Sequence, residues 1–416
     1  MKCCYKILLA FIFLFFFLFI SDDSARAVVD PRDSANNRFG IHIFDEGDLK
    51  DAADLVNSSG GDWGYVTLVI REDELDLGRW QRAFDEMRRL RLIPIVRIAS
   101  FQEEGRWGKL EEKNIKKWKE FLSSLNWVVK NRYIIVGNEP NQPKEWGGEA
   151  NPEEYASYLK NLSLTLKKQS DDFFILPAGF DASLPDKGSY LSLETFVKKM
   201  LVYDPHIFDH VDGIASHSYP NPGFSGSHKD TGKGTVQTFK WELDFLKSLG
   251  IEKDFPVFIT ETGWQQKDIC CPDIGKSQDE ISEELKNSYL YAWNDKNVVA
   301  VTPFILNYQD RPFNNFSWKK PEGGFYDFYH EIQNMKKTKG VPVQDNDFKI
   351  ISIIKTPETN KTIYGIALVK NTGQKIWQKE EIFSINSKRN ITVNAFFPSE
   401  TEPFHKNLML FVITEN

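Results

Sequence analysis

From residue 38 to residue 335 the chain repeats one pattern: a short apolar, β-branched run, then a longer stretch with apolar positions three or four apart. The short runs predict strands over Arg38–Ile43, Gly64–Ile70, Ile93–Ile98, Tyr133–Val136, Phe173–Ala178, Val211–Ser216, Pro256–Thr260 and Val298–Leu306. Between them Leu77, Trp80, Phe84, Met87 and Leu90, and Ile115, Trp118, Phe121 and Leu122, fall on helical faces. Further helices are predicted over Asp48–Val56, from Asn151, over Thr195–Val202, Val236–Leu249 and Ile281–Trp293, and over Phe325–Met335. Asn151-Pro152-Glu153-Glu154 reads as a helix start: a capping side chain, proline at the first position, acids in the first turn. Strands apolar on both faces suit a parallel sheet covered by helices. Eight strand–helix repeats predict a closed (β/α)8 barrel, the TIM barrel, rather than an open doubly wound sheet. The open alternative wants a glycine-rich phosphate loop after its first strand. Here Phe44-Asp45-Glu46-Gly47-Asp48 follows, which repels phosphate.

After Lys339-Gly340 the helical period disappears. Lys349–Ile354, Ile363–Val369, Ile391–Phe397 and Leu408–Ile413 read as strands, with a turn at Asn371-Thr372-Gly373. The expected fold class is therefore α/β, a (β/α)8 barrel with a small C-terminal all-β domain. Its expected parts are the barrel over 28–339 and a β-sandwich-like accessory domain over 345–416. Residues 1–27 read as a signal peptide. Lys2 and Lys6 precede an unbroken apolar run from Ile7 to Ile20, and Ala25-Arg26-Ala27 has the small-x-small form of a cleavage site. That run has 14 residues, short of the about 20 needed to span a bilayer. A secreted or cell-surface protein is expected, with membrane attachment only if the segment is retained. Cleavage would remove Cys3 and Cys4 and leave Cys270 and Cys271, so no disulfide scaffold is implied. The net charge of −7, without a basic block, argues against a nucleic-acid partner.

The chemistry gathers at strand ends, where such barrels keep it. The fourth strand runs into Gly137-Asn138-Glu139-Pro140, the sixth into His217-Ser218-Tyr219, and the seventh into Glu261-Thr262-Gly263-Trp264. Glu139 and Glu261, 122 residues apart, lie on opposite sides of the barrel mouth. This constellation resembles the large clan of retaining glycoside hydrolases, barrel enzymes with an acid/base glutamate after strand four and a nucleophile glutamate after strand seven. Val-Gly-Asn-Glu and Glu-Thr-Gly-Trp are similar to β-1,3-glucanases, and Asn-Glu-Pro-Asn to β-xylosidase-type members. The resemblance covers about residues 38 to 337 and implies an O-glycosyl hydrolase using double displacement. Glu139 would be the acid/base and Glu261 the nucleophile. Retention requires the two carboxyls to stand about 5–5.5 Å apart, one neutral and one charged.

The resemblance further implies that Asn138 bonds the sugar 2-hydroxyl, that Tyr219 donates to the nucleophile, and that His217 lines the same wall. Arg71 matches an arginine that the clan keeps near strand two, with Arg97 as its competitor; either could equally be a surface ion pair. The clan's tryptophan at the end of strand eight is replaced by Leu306-Asn307-Tyr308, so Tyr308 is the candidate substitute. Trp264, and less strongly Trp107, Trp146 and Trp318, are candidate sugar platforms, against ordinary packing. His42 and Asp181 are strand-end candidates for binding hydroxyls, against plain polar capping. Adjacent cysteines such as Cys270-Cys271 can form a vicinal disulfide in an oxidising compartment or remain two thiols. No His-x-His pair or cysteine cluster suggests a metal, so neither metal nor cofactor is expected. The expected partner is a carbohydrate substrate, and the expected state a monomer. A transglycosylase with the same site and a non-catalytic polysaccharide-binding surface protein are the alternatives.

Overall fold

A computed structural model describes residues 28–103, 105–267, 275–357, 362–385 and 391–415. The expected leader over 1–27 and the Cys270-Cys271 pair lie outside these residues. The described chain falls into two compact units, Val28–Val343 and the segment from Gln344 onward.

In the first unit eight strands are parallel: β1 (Gly40–His42), β2 (Gly64–Arg71), β3 (Leu92–Ala99), β4 (Arg132–Val136), β5 (Phe173–Pro177), β6 (Ile214–His217), β7 (Val257–Glu261) and β8 (Val298–Val301). Strands β1 to β5 pair in order, and so do β6, β7 and β8. Parallel bridges Phe39↔Val301 and Asp181↔His217 join the two sheets into a ring. Each strand is followed by a helix: α1 (Leu49–Val56), α2 (Leu77–Arg89), α3 (Ile115–Ser124), α4 (Pro152–Gln169), α5 (Leu193–Tyr203), α6 (Thr238–Ser248), α7 (Gln278–Asn287) and α8 (Asp327–Asn334). The strands are buried almost throughout because helices cover the outside and side chains fill the inside.

The helix starts follow local chemistry. Asn151 accepts from the Glu154 amide with Pro152 behind it, Ser192 caps α5, and Ser277 with Glu280 forms a reciprocal capping box on α7. The expected helix Ile281–Trp293 ends as α-helix at Asn287 and continues as a π-turn over Ser288–Ala292. The expected eighth strand is shorter than its apolar run, ending at Val301. Beyond it, Thr302 to Leu306 bonds to the ends of neighbouring strands, with Thr302 N on Ile259 O and Leu306 N on His42 O, both 2.9 Å or less.

Strand alternation sets what faces the barrel axis. Tyr65, Tyr133, Phe174 and Phe258, from four strands, meet there with ring centroids 5.0–6.4 Å apart. One layer nearer the C-terminal ends, Thr67 and Thr302 bond across the interior at 2.8 Å. An apolar floor thus lies beneath a polar mouth.

The second unit is a five-stranded antiparallel sheet of β9 (Phe348–Lys355), β10 (Thr362–Asn371), β11 (Glu380–Ile385), β12 (Ile391–Phe396) and β13 (Lys406–Glu415), in the order β9-β10-β13-β12-β11. Its core gathers Ala367, Val369, Trp377, Phe383, Val393, Ala395, Phe397, Met409 and Phe411. Strand β11 was not expected: charges at Lys379, Glu380 and Glu381 mask a six-residue run. Among the described residues the unit is one sheet, not two stacked ones.

Candidate active site

The backbone turns sharply after β4. Gly137 takes φ 84° and Glu139 φ 31°, a left-handed conformation uncommon for a residue with a side chain. The Glu139 amide donates to Gly179 O at 3.0 Å, and the Gln142 amide returns to Glu139 O at 2.8 Å. These bonds hold the strained turn and aim the carboxyl inward.

Glu261 reaches the same space by another device. Phe258 points into the barrel, so simple alternation would turn Glu261 outward. The pairing register between β6 and β7 slips there: Ser216 faces Ile259, but His217 faces Glu261. This irregularity places Thr260 as an extra residue and re-aims the side chain at the strand end, as β-bulges do. His217 and Glu261 therefore both face the mouth.

An oxygen of Glu139 and an oxygen of Glu261 lie within 4.8 Å of one another, with His217 Nδ1 within the same distance of both. His217 Nδ1 is 2.8 Å from Glu139 Oε1 and 3.8 Å from Glu261 Oε2. Gln142 Nε2 donates to Glu139 Oε2 at 2.6 Å. Arg97 Nη1 donates to Glu261 Oε1 at 2.5 Å and to Asn138 Oδ1 at 2.6 Å. Tyr219 donates its hydroxyl to Glu261 Oε2 at 3.1 Å. The Asn138 amide nitrogen is held by Glu145 at 3.0 Å.

The two carboxyls are similarly enclosed, 13% and 10% exposed, yet they titrate apart. Burial dominates at Glu139 and pushes it up to about 7, although contact with His217 opposes the rise. Burial would also raise Glu261, but the positive charges of His217 and Arg97 and the Tyr219 hydroxyl overcome it and bring it down to about 2. Burial pushes His217 down, and the carboxylates of Glu261 and Glu139 outweigh it and raise it. Burial pushes the Tyr219 phenol up, so it stays a donor. Such a site can protonate one atom and attack another a few ångströms away. Two carboxylates and an imidazole are also a donor set for a divalent cation, but the Arg97 guanidinium against Glu261 opposes a second positive charge there.

The other expected residues divide. His42 is buried, and neither ring nitrogen has a partner among the described residues. Burial and then the Arg97 charge lower it to about 3, so it is neutral. Asp181 stands beside Gln142 at 3.1 Å. Arg71 corrects an expectation: its guanidinium pairs with Asp73 and Glu74, both 3.1 Å or less, and the arginine on Glu261 is Arg97. The acids in the turn directly after β2 capture Arg71, whereas Arg97 lies within β3 on its inward face.

Trp264 is a second correction. Its ring is 3% exposed and its Nε1 donates to Gly226 O at 2.7 Å, so it holds the loop after β6 and offers a sugar no open face. Trp146 and Trp318 are buried in the same way, and Trp107 is half-buried. The exposed aromatics are others. Tyr308 is half-buried and meets Phe44 and Phe313 edge-on at 5.2 and 5.7 Å; Phe304 then links Phe313 to His42. Phe44, Phe313 and Gln142 were missed in the sequence. Only Gln142 left a signal, an amide one turn after a strand-end glutamate.

No family model matches this sequence, and no curated protein does. Among solved structures, the chain is similar to a glucosidase from Croceicoccus marinus, with a TM-score of 0.53, 10% identity, and 94% of this chain and 98% of that one covered. This likeness shows the fold, a (β/α)8 barrel followed by a small β domain. The chain also aligns with a monomeric β-xylosidase from Caulobacter crescentus (TM-score 0.48, 13% identity, covering 81% and 75%). It aligns with an endo-β-1,3-glucanase from Sorangium cellulosum as well (TM-score 0.46, 13% identity, covering 72% and 96%).

Proposed function

We propose that this chain is an exported glycoside hydrolase of the barrel clan, cleaving O-glycosidic bonds of an oligo- or polysaccharide with retention of configuration. The observation that carries this is the separation of Glu139 and Glu261, oxygens within 4.8 Å. That spacing suits direct attack on the anomeric carbon; inverting enzymes leave about 6.5–9.5 Å for a water. Glu261, held ionised by Arg97 and Tyr219, attacks the anomeric carbon while Glu139 gives its proton to the departing oxygen. Glu139 then takes a proton from water, which displaces Glu261 and releases the sugar. Asn138, fixed by Arg97 and Glu145, meets the 2-hydroxyl, and buried, neutral His42 lies behind the site without an open nitrogen for the sugar. Export rests on the leader sequence alone. Transglycosylation by the same intermediate differs only in the acceptor, and product analysis with and without added sugar acceptors separates the two.

The test uses Glu139→Ala with aryl glycosides of a good leaving group. The glycosyl-enzyme forms without acid help and accumulates, because its breakdown lacks a base. Azide restores turnover and yields a glycosyl azide of the substrate's configuration, and mass spectrometry finds the sugar on the peptide containing Glu261. An azide product of inverted configuration, or a label elsewhere, overturns the assignment.

A further inference from the structure

Resting on the glycosidase reading, we infer that Gln142 is a positioning residue that decides which oxygen of Glu139 carries the catalytic proton, with Asp181 as its anchor. An amide nitrogen donates two hydrogens and accepts none. Gln142 Nε2 lies 2.6 Å from Glu139 Oε2 and 3.1 Å from Asp181 Oδ2, so both hydrogens are committed to carboxyl groups. Oε2 is thereby kept as an acceptor. Oε1 stands 2.8 Å from His217 Nδ1, so the proton of the acid form lies on that side, along the Oε1–Nδ1 bond, where the imidazole accepts from it and donates back when Glu139 is ionised.

The anchor is itself built in. Asp181 Oδ1 accepts from the Ser183 amide and hydroxyl at 2.8 and 2.6 Å. Fully buried Asn141 ties the two loops, accepting from Asp181 N at 3.2 Å and donating to Asp181 O at 2.9 Å. Swapping the amide ends would set its oxygen against two carboxyls, so the orientation is chemically determined. Charged groups face Glu139 from every side: His217 from β6, Glu261 from β7, Asp181 from the loop after β5, and Arg97 from β3 through Asn138. Gln142 is the neutral donor between two of the acids. Its loss removes a bond to the ionised form of Glu139, whereas loss of the Asp181 charge removes a repulsion against that form. The two changes must therefore move the titration of Glu139 in opposite directions.

The experiment compares pH profiles of kcat/KM for Gln142→Met and Asp181→Asn, each with aryl glycosides of good and poor leaving group. Gln142→Met keeps the bulk and removes the donor. Its alkaline limb moves up by about one pH unit, and turnover of the poor-leaving-group substrate falls about 10- to 100-fold. The good-leaving-group substrate is attacked at close to the parent rate. Asp181→Asn moves the alkaline limb down, and because the two shifts are read independently, either variant tests the inference if the other does not fold. An unmoved limb, or equal loss on both substrates in a protein with parent-like circular dichroism, overturns it. Glu139→Gln is run alongside: if it still cleaves the poor-leaving-group substrate, the glycosidase reading fails. If Glu139→Gln is dead on that substrate while Gln142→Met leaves the limb unmoved, only the role of Gln142 fails.

Discussion

The ends of β4 and β7 present the same residue type to the same cavity at nearly the same exposure, and the two glutamates differ in what surrounds them. Glu139 sits in a strained turn among an amide, an imidazole and a second acid, Asp181. Glu261 leaves an irregular strand end beneath a guanidinium and a phenol. Burial pushes both pKa values up and His217 opposes the rise at each; what Glu261 has in addition is the Arg97 guanidinium and the Tyr219 hydroxyl, while Glu139 has the repulsion of Asp181. A division of labour between identical side chains can thus rest on a few neighbours that touch one and not the other, Arg97 and Tyr219 on Glu261 and Gln142 beside Asp181 on Glu139.

The most severe way to test that contrast is to remove the charged partner. Glu261→Gln keeps the shape and loses the proposed nucleophile, and turnover on every substrate should fall on the order of 10⁴-fold or more, read by aryl-glycoside kinetics. Azide should not rescue it, in contrast to Glu139→Ala. Arg97→Met should cost about 100-fold or more in kcat and raise the acid limb of the pH profile, because Glu261 then takes up its proton at higher pH. Arg71→Met is the contrasting variant: its ion pairs are local and partly exposed, and activity should stay within about twofold of the parent.

The pH profile of the unaltered protein sharpens the comparison further. In its proposed role as the acid Glu139 must be protonated, so kcat/KM should decline as pH rises through about 7. Glu261 must be ionised, and its depression to about 2 keeps it so down to strongly acidic pH. A profile rising through neutral pH would reverse the two roles. The smallest effect belongs to Trp264→Phe, which loses the bond to Gly226 and should lower stability by about 1 kcal/mol. KM should barely change, as a calorimetric scan and a saturation curve together would show.

Much of this was legible before any coordinates. Asn138-Glu139-Pro140 and Glu261-Thr262-Gly263 stand out because chemistry at strand ends must interrupt the apolar run, and eight runs in alternation predict the ring. The partners of those glutamates were less visible. Arg71 ends one apolar strand and Arg97 lies inside the next; the acids Asp73 and Glu74 draw Arg71 away, a three-dimensional contest that spacing does not settle. Trp264 misleads for the opposite reason: an aromatic beside a candidate catalytic residue looks like a platform until its indole nitrogen finds Gly226. The slip of register that turns Glu261 inward leaves no trace in composition, and strict alternation predicts the opposite orientation.

Gly179 lends itself to a different use. A methyl group there would stand 2.1 Å from His217 Cδ2, far inside contact distance, so the imidazole rests against bare backbone. Even alanine would have to displace the ring that touches Glu139, disarming the centre with every ionisable residue still in place. A profile for finding distant relatives should therefore weight this featureless position alongside the two glutamates, since a side chain there is expected to spare the fold and cost the proposed reaction.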